Sequence, residues 1–132
     1  MPPELRDASD PQSWMRRARS NLAQARAGRA TADVLYDDLC FDAQQAAEKA
    51  IKAVLVSRML EFPKTHGIDA LLDLLASGAV TVPAEIREAG ILTAYATHAR
   101  YPGGGEDVDE AEYHEATRLA ERVVRWAERM VA

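Results

Sequence analysis

The sequence predicts an all-α fold, an antiparallel up-and-down bundle of four or five helices. Residues 36–60 contain neither proline nor glycine, and at 1.5 Å per residue they suffice for a single helix of about 38 Å. Apolar residues recur along this stretch at the three-and-four spacing of a helix face. The same spacing recurs in the segments before and after it, each bounded by a proline, a glycine or a capping acid. These observations together indicate a helical bundle.

Composition limits the class of protein further. The chain has 132 residues, a net charge of −5 and one cysteine. This length fits one domain with its own core, which we place at residues 10–132 after a disordered leader over residues 1–9. The negative charge argues against a general nucleic-acid coat protein. A single cysteine, no secretory signal and no apolar run of membrane length indicate a cytoplasmic protein that does not insert into a membrane.

The first helix is predicted from its cap. Asp10 followed by Pro11 is typical of a helix start, and Gly28 marks the end. The predicted core face consists of Trp14, Ala18, Leu22 and Ala25. The other faces carry Arg16, Arg17, Arg19 and Arg26, with no acid between residues 11 and 30. We interpret these arginines as a solvated face rather than as a contact for an anion or RNA.

The second helix, over residues 36–60, is predicted to be the centre of the bundle. Its apolar rows are Leu39, Ala43, Ala46, Ala50 and Ala53, and beside them Tyr36, Cys40, Ala47 and Val54. Its predicted solvent face is Asp38, Asp42, Gln45, Lys49 and Lys52. From residue 53 to 56 the helix is apolar on every side. Together with Met59 and Leu60, this end predicts a homodimer, since a bundle of this size does not easily cover it alone.

The third helix follows a predicted break at Pro63, because proline cannot continue a helix and disfavours it in the residue before. Thr65 is predicted to cap this helix, with His66 in its first turn and Gly78 just beyond its end. Its predicted core face is Ile68, Leu71, Leu72 and Leu75.

Two more helices complete the bundle. The fourth is predicted to start at Pro83 and to reach about Ala96, with Gly90 allowing close packing against the central helix. The last begins at the capping-box pair Asp109 and Glu112 and runs to the C-terminus. Its predicted inward residues are Ala116, Leu119, Ala120, Val123, Ala127 and Met130. One stripe carries Arg118, Arg122, Arg125 and Arg129, where Glu121 offsets part of the charge.

Residue types for catalysis are sparse in this chain. The three histidines and the cysteine show no metal-ligand spacing. Cys40 lies on an apolar row without a local base, which argues against a catalytic nucleophile. We therefore expect neither a metal nor a cofactor.

Three blocks of sequence nevertheless resemble one known family in order and spacing. The blocks are residues 40–53, residues 62–66 before a leucine-rich helix, and residues 92–95 leading into Arg100-Tyr101-Pro102. Over residues 12–130 the chain is similar to the HEPN family, the higher eukaryote and prokaryote nucleotide-binding domains. The resemblance implies an up-and-down helical bundle that is commonly a homodimer. It also implies a gene often found beside a minimal nucleotidyltransferase, as a toxin–antitoxin-like pair.

The ribonuclease members of that family resemble one another in an arginine followed, after four to six residues, by a histidine. Arg100 matches the arginine, but Gly105, Glu106 and Asp107 stand where the histidine should fall. None of them can act near pH 7 as an imidazole does, so this departure argues against ribonuclease activity.

Three functions stay open, and we favour the first. In it the chain is a non-catalytic module that binds a nucleotide or a nucleotidyltransferase partner. The predicted binding residues are Arg100, Tyr101, Lys64, His66 and His98, on two loops that an up-down-up-down topology places at one end. The second is a divergent metal-independent ribonuclease that uses His98 or His66 with Arg100. The third is a structural dimer in which Arg100 caps a helix or pairs with an acid. Binding of RNA is left open.

Overall fold

A computed structural model of the chain describes residues 8–64, 67–97 and 107–132. The described residues form five α-helices and one 3-10 segment, and they include no strand. The α-helices are α1 (Pro11–Ala27), α2 (Tyr36–Ser57), α3 (Ile68–Ser77), α4 (Ala84–Arg87) and α5 (Glu110–Val131). The 3-10 segment, Glu88–Ala96, continues directly from α4. The predicted all-α bundle is confirmed. Within the described parts of the chain, no helix is both long and apolar enough to cross a lipid bilayer.

The first helix begins and ends as its sequence predicts. The Asp10 carboxylate accepts a hydrogen bond of 3.0 Å from the Gln12 N–H, and Gly28 follows the last turn with φ of 75°. The buried face is Met15, Ala18, Leu22 and Ala25. Trp14 was wrongly predicted for this face: it is only partly buried and packs edge-on against Phe62, 6.0 Å between ring centres. Met15, one position further round the helix, fills the core instead.

Helix α2 is the centre of the bundle, and both of its apolar rows are inside. All their members except the partly buried Tyr36 are buried. Lys52 was wrongly predicted to face solvent: it is only 8% exposed. Its ammonium lies 5.6 Å from the centre of the Trp14 ring, 5.4 Å from that of Phe62 and 3.8 Å from Glu48. Two aromatic rings and one carboxylate therefore replace water around this charge.

A left-handed residue follows two of the helices. Helix α3 ends at Ser77 with Gly78 just beyond it, as the sequence predicts, whereas α2 ends earlier than predicted. Helix α2 stops at Ser57, before Pro63, because Met59 turns to φ of 58° and the Leu60 N–H donates to the Leu55 carbonyl at 2.9 Å. After α3, Ala79 takes φ of 67° and the Val80 N–H donates to the Leu75 carbonyl at 2.9 Å. Both are the backbone reversal common at helix C-termini, here without a glycine at the left-handed position.

The predicted fourth helix is α-helical only over Ala84–Arg87 and then tightens to a 3-10 segment. In a 3-10 helix, residues three apart lie on one line. The row that faces the core is Ile86, Ala89 and Leu92, followed by the partly buried Tyr95. Pro83 precedes this helix at the N-cap position. The close approach at Gly90 is to α3 rather than to α2, since a Cβ there would collide with the Asp69 carboxylate.

The connection after α2 decides how the elements are arranged. Helix α1 is antiparallel to α2, because Trp14 lies beside Lys52 near one end and Arg29 lies over Tyr36 at the other. Helix α3 is antiparallel to α4 and the 3-10 segment: the Ile68 N–H bonds to Thr93, and the Asp73 carboxylate lies 3.0 Å from Arg87. The end of α3, and not its start, lies near the end of α2, since a Cβ at Gly78 would collide with the Leu60 side chain.

Most of the apolar end of α2 is covered within the single chain. Ala53, Val54 and Leu55 have no exposed surface, whereas Met59 is 92% exposed, so the reason given for dimerisation from the sequence is reduced mainly to Met59. The large apolar side chains that do face solvent among the described residues are Leu35, Met59 and Ile91.

Candidate functional site

The structure describes one of the five residues that are predicted to bind a ligand. Arg100, Tyr101, His66 and His98 lie outside the described residues. Lys64 is described, and it is exposed. The candidate site is therefore defined by the described residues around the points where two segments, residues 65–66 and residues 98–106, join the bundle.

Thr93, near the end of the 3-10 segment, contacts the start of α3, and the two joining points are therefore close to each other. Its hydroxyl oxygen accepts a hydrogen bond of 3.0 Å from the Ile68 N–H, at the first residue of α3. A Cβ added to Gly67 would lie 3.1 Å from the Thr93 methyl carbon. Thr65, the predicted cap, lies outside the described residues, and α3 begins with Gly67 at the N-cap position and no side-chain cap of its own. A hydroxyl from a distant element thus satisfies the helix start that local sequence was expected to satisfy.

The N-termini of α2 and α5 meet at this same end of the bundle. The Asp37 carboxylate, in the first turn of α2, accepts a hydrogen bond of 3.1 Å from the Val108 N–H. The Asp109 carboxylate caps α5 by accepting from the Glu112 N–H at 2.8 Å, as its sequence predicts. The Glu112 carboxylate does not complete the capping box. It accepts a hydrogen bond of 2.5 Å from the Tyr95 hydroxyl at the end of the 3-10 segment.

Stacked tyrosines hold the last turn of α1 against this end. The Tyr36 and Tyr113 rings stack with 5.0 Å between centres, and the Tyr113 hydroxyl donates to the Ala25 carbonyl. The Arg29 guanidinium lies 5.1 Å from the centre of the Tyr36 ring. These contacts join α1, α2, α5 and the 3-10 segment at one end of the bundle, and we call this group of contacts the frame.

The electrostatics of this frame are acidic. The first turns of α2, α3 and α5 contain Asp37, Asp38, Asp69, Glu110 and Glu112. A helix N-terminus attracts anions, and here each N-terminus already has its own carboxylates. The frame consequently offers little attraction to a free phosphate, and it suits a cationic group, either from this chain or from a partner.

Cys40 and Tyr95 at this end of the bundle are held in their protonated forms. Burial, followed by the charges of Glu112 and Asp37, raises the pKa of the Cys40 thiol to about 12. Burial, followed by the hydrogen bond to Glu112, also raises the pKa of the Tyr95 phenol. Neither group can supply a thiolate or phenolate near neutral pH. Among the described residues, no group of three or more His, Cys, Asp or Glu side chains is placed to hold a metal ion.

A second polar cluster links α1 to α2 away from the frame. The Asn21 side chain accepts a hydrogen bond of 2.7 Å from Lys49 and donates one of 3.3 Å to Asp42. Burial is the main cause that lowers the pKa of Lys49 and raises that of Asp42. Because the three groups satisfy one another, we interpret this cluster as a link between helices and not as a site.

Sequence reasoning missed the long-range contacts that build the frame. Tyr95 and Glu112 are 17 positions apart, and Asp37 and Val108 are 71 apart, so no local pattern joins them. One usable signal was present: the period of three from Ile86 to Tyr95 predicts that Tyr95 follows the buried row.

Comparisons with known proteins bear on the fold and on its family. The model of the HEPN domain matches residues 11–130. The solved structure of an archaeal HEPN homologue is similar to this chain, with a TM-score of 0.72 and 27% sequence identity. The similarity covers 93% of this chain and 98% of the archaeal one. The comparison with curated proteins found no match.

Proposed function

The chain belongs to the HEPN domain family, and from that premise we propose that it is a non-catalytic binding module. Its ligand is a nucleotide, a minimal nucleotidyltransferase partner, or both, in a toxin–antitoxin-like pair. The observation that carries this proposal is the departure from the ribonuclease motif after Arg100. Where the family's ribonucleases resemble one another in a histidine, this chain has Gly105, Glu106 and Asp107.

The acidic frame favours the protein partner over a free nucleotide. Asp37, Glu112 and Asp109 lie next to the attachment of residues 98–106, where they oppose a nucleotide's phosphates and attract basic side chains. In this proposal Arg100 binds a phosphate that the partner holds, with Lys64, His66, His98 and Tyr101 as neighbours. A bidentate guanidinium–phosphate contact fixes the orientation of the bound phosphate, and the acidic frame gives the selectivity for the partner.

The same acids favour one alternative, in which Arg100 is purely structural. A guanidinium beside several carboxylates can pair with them and fasten its own segment to the bundle. The two functions differ in what Arg100→Ala does. A structural arginine contributes to folding, whereas a binding arginine contributes to affinity.

Calorimetric titration separates these functions. Wild type and Arg100→Ala are titrated with ATP, with GTP and with the nucleotidyltransferase encoded beside this chain. We expect binding by the wild type and a loss of roughly 10-fold to 150-fold in Arg100→Ala, the effect of one charged hydrogen bond. Arg58→Ala is the control: it removes an exposed arginine just after the last turn of α2, at the end opposite to Asp37. If the wild type binds none of the three and Arg100→Ala melts far below it, the arginine is structural and the module is rejected.

We also propose that the chain is a homodimer, as the family resemblance implies. Ile91 and Met59 are apolar side chains that are 63% and 92% exposed, and we expect the dimer interface to bury them. Sedimentation at micromolar concentration measures the mass. A monomer throughout that range contradicts the proposal.

A further inference from the structure

The outer face of α1 carries arginines and no acid. Residues 11–30 contain five arginines and no acid, which is +5 in a chain whose net charge is −5, so the remainder carries −10. All five arginines are exposed. At physiological salt the screening length is about 8 Å, so a ligand at this surface responds to the local charge more than to the distant acids.

The arginines of α1 and those of α5 differ in how many of them form ion pairs. On α5, Arg118 pairs with Glu115, Arg122 with Glu88 and Arg125 with Glu121. On α1, the ion pair among described residues is that of Arg19 with Glu128, at 3.9 Å. Arg16, Arg17 and Arg26 have no carboxylate partner within the described residues. The charge of α5 is thus largely neutralised, and that of α1 is not.

Three of the α1 arginines, of which Arg19 has a carboxylate partner, form a row. At 100° per residue, Arg16, Arg19 and Arg26 fall within an arc of about 80° on the helix, and at 1.5 Å per residue the row is about 15 Å long. A nucleic-acid strand presents one phosphate per about 3.4 Å along a duplex axis, so this row spans about four phosphates. Arg17 lies on the side facing α2, where its charge adds to burial in lowering the pKa of Lys49.

The side chains between the arginines are small or polar. The exposed ones are Gln12, Ser20, Ala23, Gln24 and Ala27. None is a large apolar side chain of the kind that anchors a protein interface, and the one aromatic residue of α1, Trp14, packs against Phe62. Small side chains allow a backbone to approach, and glutamine and serine donate to phosphate oxygens.

These observations replace the interpretation of the α1 arginines as a merely solvated face, and from them we propose that the exposed face of α1 binds the phosphodiester backbone of a nucleic acid, without reading its sequence. The arginines of this face are not among the residues assigned to the candidate site, and the proposal does not rest on the function assigned there. Arginine is suited to the role because its planar guanidinium takes phosphate oxygens bidentately.

The test measures the binding of fluorescent 20-nucleotide RNA and DNA strands by anisotropy, from 50 to 200 mM NaCl. The α1 variant is Arg16→Gln with Arg26→Gln. The control is Arg118→Gln with Arg125→Gln on α5, which changes the net charge equally at side chains that are 56% and 68% exposed. Glutamine keeps helix propensity, and circular dichroism verifies that both variants fold.

We expect the wild type to bind both strands, and the α1 variant to bind at least about tenfold more weakly at 50 mM salt. The slope of log K against log salt should become shallower by about 1.4, which is 0.7 for each lost phosphate contact. The α5 control should stay within about twofold of the wild type. No binding by the wild type at 50 mM salt overturns the proposal. Equal losses in the α1 and α5 variants also overturn it, because net charge would then explain the binding.

Discussion

Replacing Lys52 by methionine tests the energetics of the core most directly. The ammonium of Lys52 lies between the rings of Trp14 and Phe62, 3.8 Å from Glu48, whose side chain is 16% exposed. Methionine keeps most of the apolar stem but removes the charge, and it leaves the Glu48 carboxylate largely buried without a partner. Breaking a fully buried pair costs about 3–5 kcal/mol. Since Glu48 keeps some contact with water, we expect a loss of about 2–3 kcal/mol in the free energy of unfolding.

Urea denaturation and thermal melting measure this loss, which corresponds to about 8–12 °C in Tm for a domain of this size. Lys49→Met is the matched control three residues away. It removes a hydrogen bond to Asn21 at 2.7 Å but no ring contact, so it should cost about 1 kcal/mol.

A double variant, Lys52→Met with Glu48→Gln, isolates the unpaired charge. Removing both charges should return stability to within about 1 kcal/mol of the wild type, because the desolvation cost of Glu48 disappears with its charge. If Lys52→Met is as stable as the wild type, the reasoning about the buried charge is refuted. It is also refuted if the double variant is no more stable than the single one.

Three further predictions concern other parts of the molecule. The purified protein should not cleave structured or unstructured RNA in the presence of EDTA; cleavage that is lost in Arg100→Ala would identify a ribonuclease. Ala79→Gly and Met59→Gly should each raise the free energy of unfolding in urea by about 0.5–1 kcal/mol, because both residues are left-handed in the fold. A decrease in both variants would show that these turns carry no strain. Cys40, whose raised pKa keeps it a thiol, should not react with iodoacetamide at pH 8 in the native protein and should react in guanidinium chloride; rapid native labelling would contradict its burial.

Sequence alone determined those features whose causes are local. Asp10 caps α1 and Asp109 caps α5 because each carboxylate reaches N–H groups two or three residues away in its own helix. The alanine rows of α2 predicted its central place, since the spacing of apolar residues depends only on the helical repeat. The resemblance over residues 12–130 also identified the family, and the HEPN model matches residues 11–130.

Only the tertiary structure decided those features in which long-range contacts compete with local preference. Lys52 follows the polar spacing of α2, yet Trp14 and Phe62 enclose it from two other elements. The start of α3 is satisfied by Thr93, 25 residues away, and the carboxylate of Glu112 bonds to Tyr95 instead of its own helix. The candidate frame consists of such contacts. A hydrogen bond between residues far apart in sequence produces no periodic pattern along the chain, because it depends on how the helices are arranged in the bundle.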